Sequence, residues 1–234
     1  IELVEQLEDI EQQGAKVDEL RELYQKLGFK KWLQELSQHE KVSYQYRVIE
    51  KSSDLDIFVS ESSVALLMDD RYMFLAFQDH SLCVPQPMWY EVLSCLKGKR
   101  IITHDVKANW AFLKAHQGGF FDLMLAQYVL DSTRSNALQD ILGSTVAGFQ
   151  YQAELTQEYM AYMSSAMYQV QRTLRGQLID EAQLGYYEEI EMALMPILAQ
   201  MQIDGMALDE PMLASYAHEL KAAINVIETK AHDA

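Results

Sequence analysis

Apolar residues recur at helical spacing near the start of the chain. Val17, Leu20 and Tyr24 stand three or four positions apart, which places them on one face of a helix. Gly28 interrupts this pattern, so residues 1–38 are predicted to form two helices or one kinked helix.

The pattern then changes to short apolar runs that are typical of β-strands. Apolar and polar residues alternate over 42–48, which predicts a short edge strand. The runs 64–70, 71–80 and 81–85 are rich in β-forming residues and are joined by short polar turns. Because tight turns connect neighbouring strands that reverse direction, three antiparallel strands are expected.

Helical and strand patterns alternate in the middle of the chain. Residues 88–98 predict a helix that ends at its glycine, and residues 100–104 predict a fourth core strand. The next predicted helix begins at Asp105, and another short helix comes after the apolar stretch 120–131. This order predicts an α/β fold in which a mixed sheet is flanked by helices.

The rest of the chain, from about residue 154, has a helical pattern. It predicts one long helix, or two helices with a break near Gly185. Pro196 lies inside an apolar stripe, where a kink is expected because proline cannot donate the helical hydrogen bond. A turn and a final helix over 211–232 complete the predicted elements.

Composition places the chain among globular proteins. It has 234 residues, of which 49% are hydrophobic and 23% are charged, enough for one sizeable core and appended helices. No run of eighteen apolar residues occurs, so no membrane-spanning helix is expected. The first residues are acidic and amphipathic, unlike a signal peptide, and the missing initial Met predicts a fragment or a processed product.

The net charge and the two cysteines bear on nucleic-acid binding and on the redox environment. The formal net charge is −16, and an acidic surface repels phosphate, which argues against strong nucleic-acid binding by this chain alone. Cys83 and Cys95 lie in apolar segments without a partner at metal-ligand spacing. Both are therefore predicted to be reduced core thiols of a cytosolic protein.

The segment THDVKANWAFLKAH, residues 103–116, is a candidate for functional chemistry. It follows a predicted strand, and it sets Asp105 four residues before Asn109 at the predicted start of a helix. Carboxylate and amide oxygens are suitable ligands for hard divalent cations. The segment therefore suggests the outline of a metal-dependent nuclease site.

Three further segments, in this order along the chain, carry a resemblance to a known family. They are LYQKLGFKKWL (23–33), FFDLMLAQYVLDSTRSNALQDIL (120–142) and YYEEIEMALMPILAQMQIDGMALD (186–209). Together they resemble the proofreading 3′–5′ exonuclease domain of bacterial family A DNA polymerases and the first helices of the polymerase domain. The resemblance implies a ribonuclease H-like mixed sheet, with three antiparallel strands plus parallel strands, flanked by helices.

The resemblance also implies a division of the chain and a set of partners. Residues 1–40 would be linker helices, 41–182 the ribonuclease H-like domain, and 183–234 the opening helices of the polymerase domain. The parent protein would extend primers on DNA with Mg²⁺, in replication and repair, in the bacterial cytoplasm. For this part of it, the implied partner is the polymerase domain of the same chain; DNA binding would be weak or absent, and no membrane is involved.

Active members of the family hold two divalent metals with four carboxylates. The metals activate a water and hold the leaving oxygen of a phosphodiester. The resemblance places the first two ligand positions at Met68 and Asp70, at the end of the first core strand, and the third at Asn109. The fourth position, four residues after Tyr162, is Ala166.

Three of these four positions have therefore lost their carboxylate. Methionine is a poor ligand for a hard cation, and Asn and Ala carry no charge. Asp105 would lie one helical turn, about 5–6 Å, from position 109, which is too far for it to replace that ligand. We predict no catalytic residue, no bound metal and no cofactor for this chain, and a role as a structural platform.

Two other function classes stay open on the sequence alone. One is an active nuclease with unusual ligands, and the other is a stand-alone binding module for nucleic acid or protein. The unusual ligands would be drawn from Asp54, Asp56, Glu61, Asp69, Asp70 and Asp105. Asp54 and Asp56 fit the first turn of a helix better than the end of a strand.

Several remaining residues have simpler expected roles. Asp122 is expected to cap the helix that follows it, and His104 is expected to be a hydrogen-bonded structural residue. Lys107 stands at a lysine position of the family and is a candidate phosphate contact, although a solvated helix face is the simpler expectation. One helical face carries three methionines that are expected to pack over the place where metals would otherwise lie: Met160, Met163 and Met167.

Overall fold

The computed structural model describes residues 16–29, 32, 35–36, 43–51, 54, 61–78 and 80–232. The strands are β1 Arg47–Val48, β2 Ser63–Met68, β3 Tyr72–Phe77, β4 His80–Pro85, β5 Arg100–Thr103 and β6 Phe120–Asp122. The helices are α1 Val17–Leu27, α2 Trp89–Cys95, α3 Trp110–Leu113, α4 Leu123–Leu130, α5 Leu138–Thr145, α6 Gln157–Asp180, α7 Leu184–Tyr186, α8 Met192–Asp204 and α9 Glu210–His232. Two 3₁₀ segments, Gln86–Met88 and Val106–Asn109, and a π-helical turn, Tyr187–Glu191, connect them.

The six strands form one mixed sheet in the order β1-β4-β3-β2-β5-β6. The strands β2, β3 and β4 pair in antiparallel fashion, whereas β1 with β4, β2 with β5, and β5 with β6 are parallel pairs. The predicted three antiparallel strands and the fourth core strand are confirmed. The predicted edge strand over 42–48 is confirmed only in its last part, since β1 has two residues.

Both faces of the sheet are covered, which explains why its central strands are apolar almost throughout. On one face, Phe74, Ile102 and Phe121 pack against helices α4, α5 and α6. On the other face, the neighbouring residues of the same strands pack against α2, α3 and the first half of α8. Successive side chains of a strand point to opposite faces, so each strand contributes to both cores.

Helix boundaries agree with the sequence in some places and differ in others. Helix α1 ends where Gly28 takes a positive φ of 69°, as the pattern predicted. The break after α6 lies at Ala182, which has φ 56° and stands three residues before Gly185, so the predicted break near Gly185 is confirmed, although Gly185 itself lies inside α7. Pro196 lies inside α8, and the irregular part of this region is the π-helical turn before it.

The predicted helix after β5 is much shorter than its apolar pattern suggested. Asp105 has a left-handed φ of 56° and precedes a 3₁₀ segment, and the α-helical part, α3, has only four residues. A residue in the left-handed region cannot continue a right-handed helix. Asp105 is therefore a cap and not a helical residue, which corrects the expectation of a helix that begins there.

The described residues up to Ala199 form one compact unit, and those from Gln200 onward form a second. Helix α9 belongs to the second unit, confirms the predicted final helix, and has no buried residue. The division into 1–40, 41–182 and 183–234 stays a prediction. Within the described part of the chain, no helix is both long and apolar enough to cross a bilayer.

Candidate functional site

The predicted ligand positions of the strands lie at one edge of the sheet. Strands β2, β5 and β6 are parallel, so their carboxyl ends meet at the same edge. They end at Met68, Thr103 and Asp122, respectively. We call this the carboxyl edge, and it is where a site built from strand ends would form.

A cavity of about 510 Å³ lies at the end of β2. Three methionines and three leucines dominate its wall, and Asp140 is the single carboxylate among its lining residues. We call it the methionine cavity. Its lining residues are Leu67, Met68, Ala137, Leu138, Gln139, Asp140, Leu155, Met160 and Met163.

Helix α6 contributes Met160 and Met163 to the wall of this cavity, whereas Tyr162 makes other contacts. The Tyr162 hydroxyl accepts a hydrogen bond from Gln150 N at 3.1 Å, and its ring stacks on Phe149 with centroids 5.3 Å apart. Neither Tyr162 nor Ala166 lines the cavity, whereas Met160 and Met163 do. Residues of a helix are rotated by about 100° per position, so these two pairs lie on different faces.

The sequence of α6 allows more than one register for the fourth ligand position, so its assignment to Ala166 stays a prediction. The resemblance uses a tyrosine and the residue four positions after it. This spacing fits Tyr162 and Ala166, but it also fits Tyr159 and Met163. Apolar residues surround the first half of this helix, so their periodicity does not select one register. The predicted packing of the methionines over the ligand region is confirmed for Met160 and Met163, which are buried in the cavity wall.

The acids that follow β2 form a turn. The Asp69 carboxylate accepts hydrogen bonds from Arg71 N and Tyr72 N, both at 2.7 Å, and thereby closes the connection from β2 to β3. Asp70 is exposed in this turn. Met68, the last residue of β2, is paired with Met73 of β3. The structure thus places Met68 in the cavity wall and the two aspartates in the turn beyond it.

Asp105 and Asn109 stand at the two ends of the 3₁₀ segment after β5. The Asp105 carboxylate accepts from Ala108 N at 3.1 Å and caps this segment. Asn109 is half-buried and makes no capping hydrogen bond to α3, which it precedes. Because a 3₁₀ helix rises about 2 Å per residue, the two residues are roughly 8 Å apart along its axis, more than one α-helical turn.

Asp122 is the most deeply buried acid of the carboxyl edge, with 1% of its surface exposed. Its carboxylate accepts from Met124 N at 2.9 Å and from Leu125 N at 3.4 Å, which confirms the predicted N-cap of α4. It also accepts from Asp105 N at 3.1 Å and from Val106 N at 2.8 Å. Burial raises the pKa of Asp122, and these amide donors oppose that shift.

Tyr187 holds the backbone of Asp122, a contact that the sequence did not reveal. The Tyr187 hydroxyl accepts from Asp122 N at 2.7 Å and donates to Asp122 O at 3.2 Å. Burial raises the pKa of Tyr187, and the nearby Asp122 carboxylate adds to that shift. Tyr187 opens the π-helical turn, so this pair connects the end of β6 to the turn that leads into α8.

His104 and Lys107 are both less solvated than free surface residues. His104 Nε2 donates to Asn136 O at 2.7 Å, which confirms its structural role. Lys107 is half-buried and lines a cavity of about 40 Å³ together with Asp105, Asp122 and Glu191. The expectation of a solvated helix face was wrong for Lys107, because its segment is a 3₁₀ turn with carboxylates on its cavity side.

The alternative metal ligands are separated by the fold. Glu61 precedes β2 and Asp69 follows it, so roughly 20–25 Å of extended chain lies between them. Asp54 pairs with Arg47 at 2.6 Å, and Asp56 lies outside the described residues. In the described ranges, no three His, Cys, Asp or Glu side chains are grouped so that they could hold a metal ion.

The two cysteines occupy different environments. Cys83 is fully buried in β4, and burial raises its pKa to about 11, which confirms the prediction of a core thiol. Cys95 lies exposed at the end of α2, so the same prediction was wrong for this residue. No disulfide joins them.

No protein-family model and no curated protein sequence matches the chain. Solved structures do. The polymerase domain of Pol1 from M. smegmatis, solved with DNA primer-template and dNTP, aligns with a TM-score of 0.62 at 18% identity, over 77% of this chain and 36% of that chain. Escherichia coli RNase D, an exoribonuclease involved in structured RNA processing, aligns with a TM-score of 0.56 at 14% identity, over 67% of this chain and 51% of that chain.

A third similar structure is the apo form of a nuclease, with a TM-score of 0.53 at 13% identity, over 73% of this chain and 99% of that chain. The chain spans about half the length of E. coli RNase D and about a third of the M. smegmatis structure. At these identities the likeness shows the fold alone. The predicted ribonuclease H-like fold, a mixed sheet flanked by helices, is confirmed.

Proposed function

We propose that this chain is a catalytically inactive proofreading-exonuclease-like domain, followed by the opening helices of a polymerase domain, from a bacterial DNA polymerase I of family A. The M. smegmatis polymerase covers more of the chain than the two nucleases do. Its likeness therefore supports the same parent as the three sequence segments. The chain would serve as a folded platform for the polymerase domain of the same protein.

The methionine cavity is the observation that carries the proposed inactivity. Two-metal hydrolysis of a phosphodiester needs several carboxylates around a pair of divalent cations. At the end of β2 the cavity instead offers the thioethers of Met68, Met160 and Met163, which are weak ligands for hard cations. These apolar walls also disfavour the charged metals and the scissile phosphate.

Three acids of the carboxyl edge support the same proposal because each has another role. Asp69 closes the β2–β3 turn, and Asp105 caps the 3₁₀ segment. Asp122 is surrounded by backbone amide donors. For Asp122, both carboxylate oxygens accept backbone amides, so a metal there would compete with these hydrogen bonds.

The parent protein would supply the activity. A polymerase domain beyond this part of the chain would bind the primer-template and use Mg²⁺ to add deoxynucleotides, in replication and repair in the bacterial cytoplasm. The platform proposed here needs no cofactor of its own.

A nuclease assay tests the inactivity. The purified chain is incubated with 5′-labelled single-stranded DNA and Mg²⁺ or Mn²⁺, with and without EDTA. We expect the DNA to keep its full length in all mixtures. Shortening from the 3′ end that EDTA stops and that Asp70→Ala abolishes would overturn the proposal, because it would show a working site with unusual ligands.

A further inference from the structure

The wall of the methionine cavity is apolar and partly open to water. Its volume of about 510 Å³ lies within the range of ligand sites in proteins, about 300–1,000 Å³. Met160 and Met163 are buried parts of this wall, with 5% and 2% of their surfaces exposed. Leu155 of the same wall is 60% exposed. A large apolar side chain that meets water beside an apolar cavity becomes more stable when a partner covers it.

Methionine side chains make this wall adaptable. They are unbranched and rotate about three bonds, so they adjust to apolar groups of different shape. Met68 comes from β2, and Met160 and Met163 come from α6. The cavity therefore combines a backbone that belongs to the packed core with side chains that can change rotamer. Methionine-rich apolar surfaces of this kind are typical of sites that bind the apolar face of a partner helix.

The charges around the cavity are negative. Asp140 is the single carboxylate among its lining residues, which include neither lysine nor arginine. Positions within two residues of the wall along the chain add four acids and again no lysine or arginine: Asp69, Asp70, Glu154 and Glu158. The nearest cations along the chain are Arg71 and Arg134, and Arg134 pairs with Asp131 at 3.0 Å. Such surroundings attract a cationic partner and repel phosphate.

The strand in the wall has no free edge for an extended partner. Strand β2 pairs with β3 on one side and with β5 on the other, so another strand cannot add to it. A helix satisfies its own backbone hydrogen bonds and carries apolar side chains along one face. The cavity at the end of β2 therefore fits a helix better than a strand.

We propose that the methionine cavity binds an amphipathic helix of another protein, one with a large apolar anchor such as leucine or phenylalanine and with lysine or arginine beside it. The anchor enters the cavity next to Met160 and Met163, and the apolar face of the helix covers Leu155. The basic side chains of the partner face the surrounding carboxylates. This inference goes beyond the proposed function, because it assigns a partner outside the parent protein and does not depend on the absence of nuclease activity.

The first test measures binding of a model peptide to the unchanged chain. The probe is a fluorescein-labelled peptide of about fourteen residues, roughly four helical turns, with leucine on one face and lysine on the other. A second peptide has the same composition in scrambled order, so it has the same charge and no apolar face. We expect a saturable rise in anisotropy with the amphipathic peptide and binding at least about tenfold weaker with the scrambled one. Equal affinities, or no binding of the amphipathic peptide, would overturn the proposal.

The second test locates the bound peptide by NMR of the chain labelled with carbon-13 at its methionine methyl groups. Met160 and Met163 report on the cavity. Met206 and Met212, which are 83% and 70% exposed, report on the second compact unit. We expect the peptide to shift the signals of Met160 and Met163 and to leave those of Met206 and Met212 unchanged. Shifts confined to Met206 and Met212 would place the peptide on the second unit and contradict the proposal.

The third test separates apolar docking from attraction by charge. Leu155→Asp adds a carboxylate at the cavity, and Ile179→Asp adds one near the end of α6, where Ile179 is 50% exposed. We expect Leu155→Asp to weaken peptide binding by about tenfold or more, because the partner loses apolar contact area, and Ile179→Asp to leave it unchanged. An added negative charge by itself strengthens the attraction of a cationic peptide, so the expected weakening has the opposite sign. Unchanged or tighter binding by Leu155→Asp would contradict the proposal.

Discussion

Asp122 is the buried acid of the carboxyl edge, and its carboxylate has a structural role there. Its carboxylate joins the segment after β5 to the start of α4 through backbone amides. Replacement by Asn would turn an NH₂ group toward one of these N–H donors. We expect Asp122→Asn to lower the free energy of unfolding by about 1–3 kcal/mol, the cost of leaving buried polar groups unpaired.

Chemical denaturation of Asp122→Asn measures this loss, with Asp70→Asn as its control. Asp70 is exposed in the β2–β3 turn, so the same chemical change there should stay within about 0.5 kcal/mol. Similar losses in both variants would show that the amide contacts of Asp122 do not stabilise the fold.

Tyr186, the last residue of α7, and Tyr187, the first residue of the π-helical turn, offer a matched pair. The Tyr187 hydroxyl is buried and bonded to the backbone of Asp122, whereas the Tyr186 hydroxyl bonds to Glu191 at the surface. We expect Tyr187→Phe to cost about 1–3 kcal/mol, since Asp122 N would lose its partner inside the protein. Tyr186→Phe should cost much less. Equal unfolding midpoints for the two variants in urea would contradict this expectation.

The free energy of unfolding should depend on pH through His116. Burial lowers its pKa below the ordinary value of 6.5, so the folded chain takes up this proton at a lower pH than the unfolded chain. As the pH falls from 6.5 towards the lowered pKa, the unfolded state binds more protons and the free energy of unfolding decreases. Above 6.5 the contribution is constant.

Urea denaturation across this pH window, for the unchanged chain and for His116→Gln, measures the effect. The variant has no group that titrates at this position, while all carboxylates are common to both chains. As the pH falls, the unchanged chain should therefore lose more unfolding free energy than His116→Gln. A difference that does not change with pH would mean that the pKa of His116 is not lowered.

At the scale of elements, the strands were predictable and the exact helical segments were not. A strand buried on both faces is a short apolar run, so β2 to β5 were predicted from such runs along the chain. Helix α6 is apolar around much of its circumference, so its sequence does not reveal which face lines the methionine cavity, and the assignment of ligand positions to Tyr162 and Ala166 stays a prediction. The helix predicted to begin at Asp105 does not begin there, because Asp105 has a left-handed backbone that no periodicity reveals.

The position of the break between α6 and α7 leads to a prediction about two substitutions. The break was predicted near Gly185, and the residue with the left-handed φ of 56° is Ala182, whereas Gly185 itself lies in a helix with open space around it. Ala182→Gly should stabilise the chain by about 0.5–1 kcal/mol, because it relieves left-handed strain at some entropic cost. Gly185→Ala should also stabilise it, by up to about 1 kcal/mol, through helix propensity.

Thermal and urea unfolding of these two variants checks the position of the break. If the break were at Gly185 itself, Gly185→Ala would destabilise the chain instead. The sign of that single change therefore distinguishes the two positions, and Ala182→Gly serves as its counterpart at the observed break.

For the whole molecule, the excess of acidic residues disfavours binding of nucleic acid. The chain has 35 acidic and 19 basic residues, and the one lysine that the resemblance suggested as a phosphate contact, Lys107, shares its cavity with Asp105 and Glu191. Lysines that release counterions from DNA must face the phosphates without competing carboxylates. DNA binding by the parent protein would then have to come from its polymerase domain.

We therefore expect a labelled single-stranded oligonucleotide to show no saturable rise in fluorescence anisotropy with this chain. Lowering the salt concentration lengthens the range of electrostatic forces, and for a chain with a net charge of −16 it should strengthen repulsion. A basic binding patch would give the opposite result, an anisotropy rise that grows as salt is removed. If such a rise appeared and Lys107→Ala reduced it, the platform would also be a DNA contact, and the acidic surface would not decide its partners.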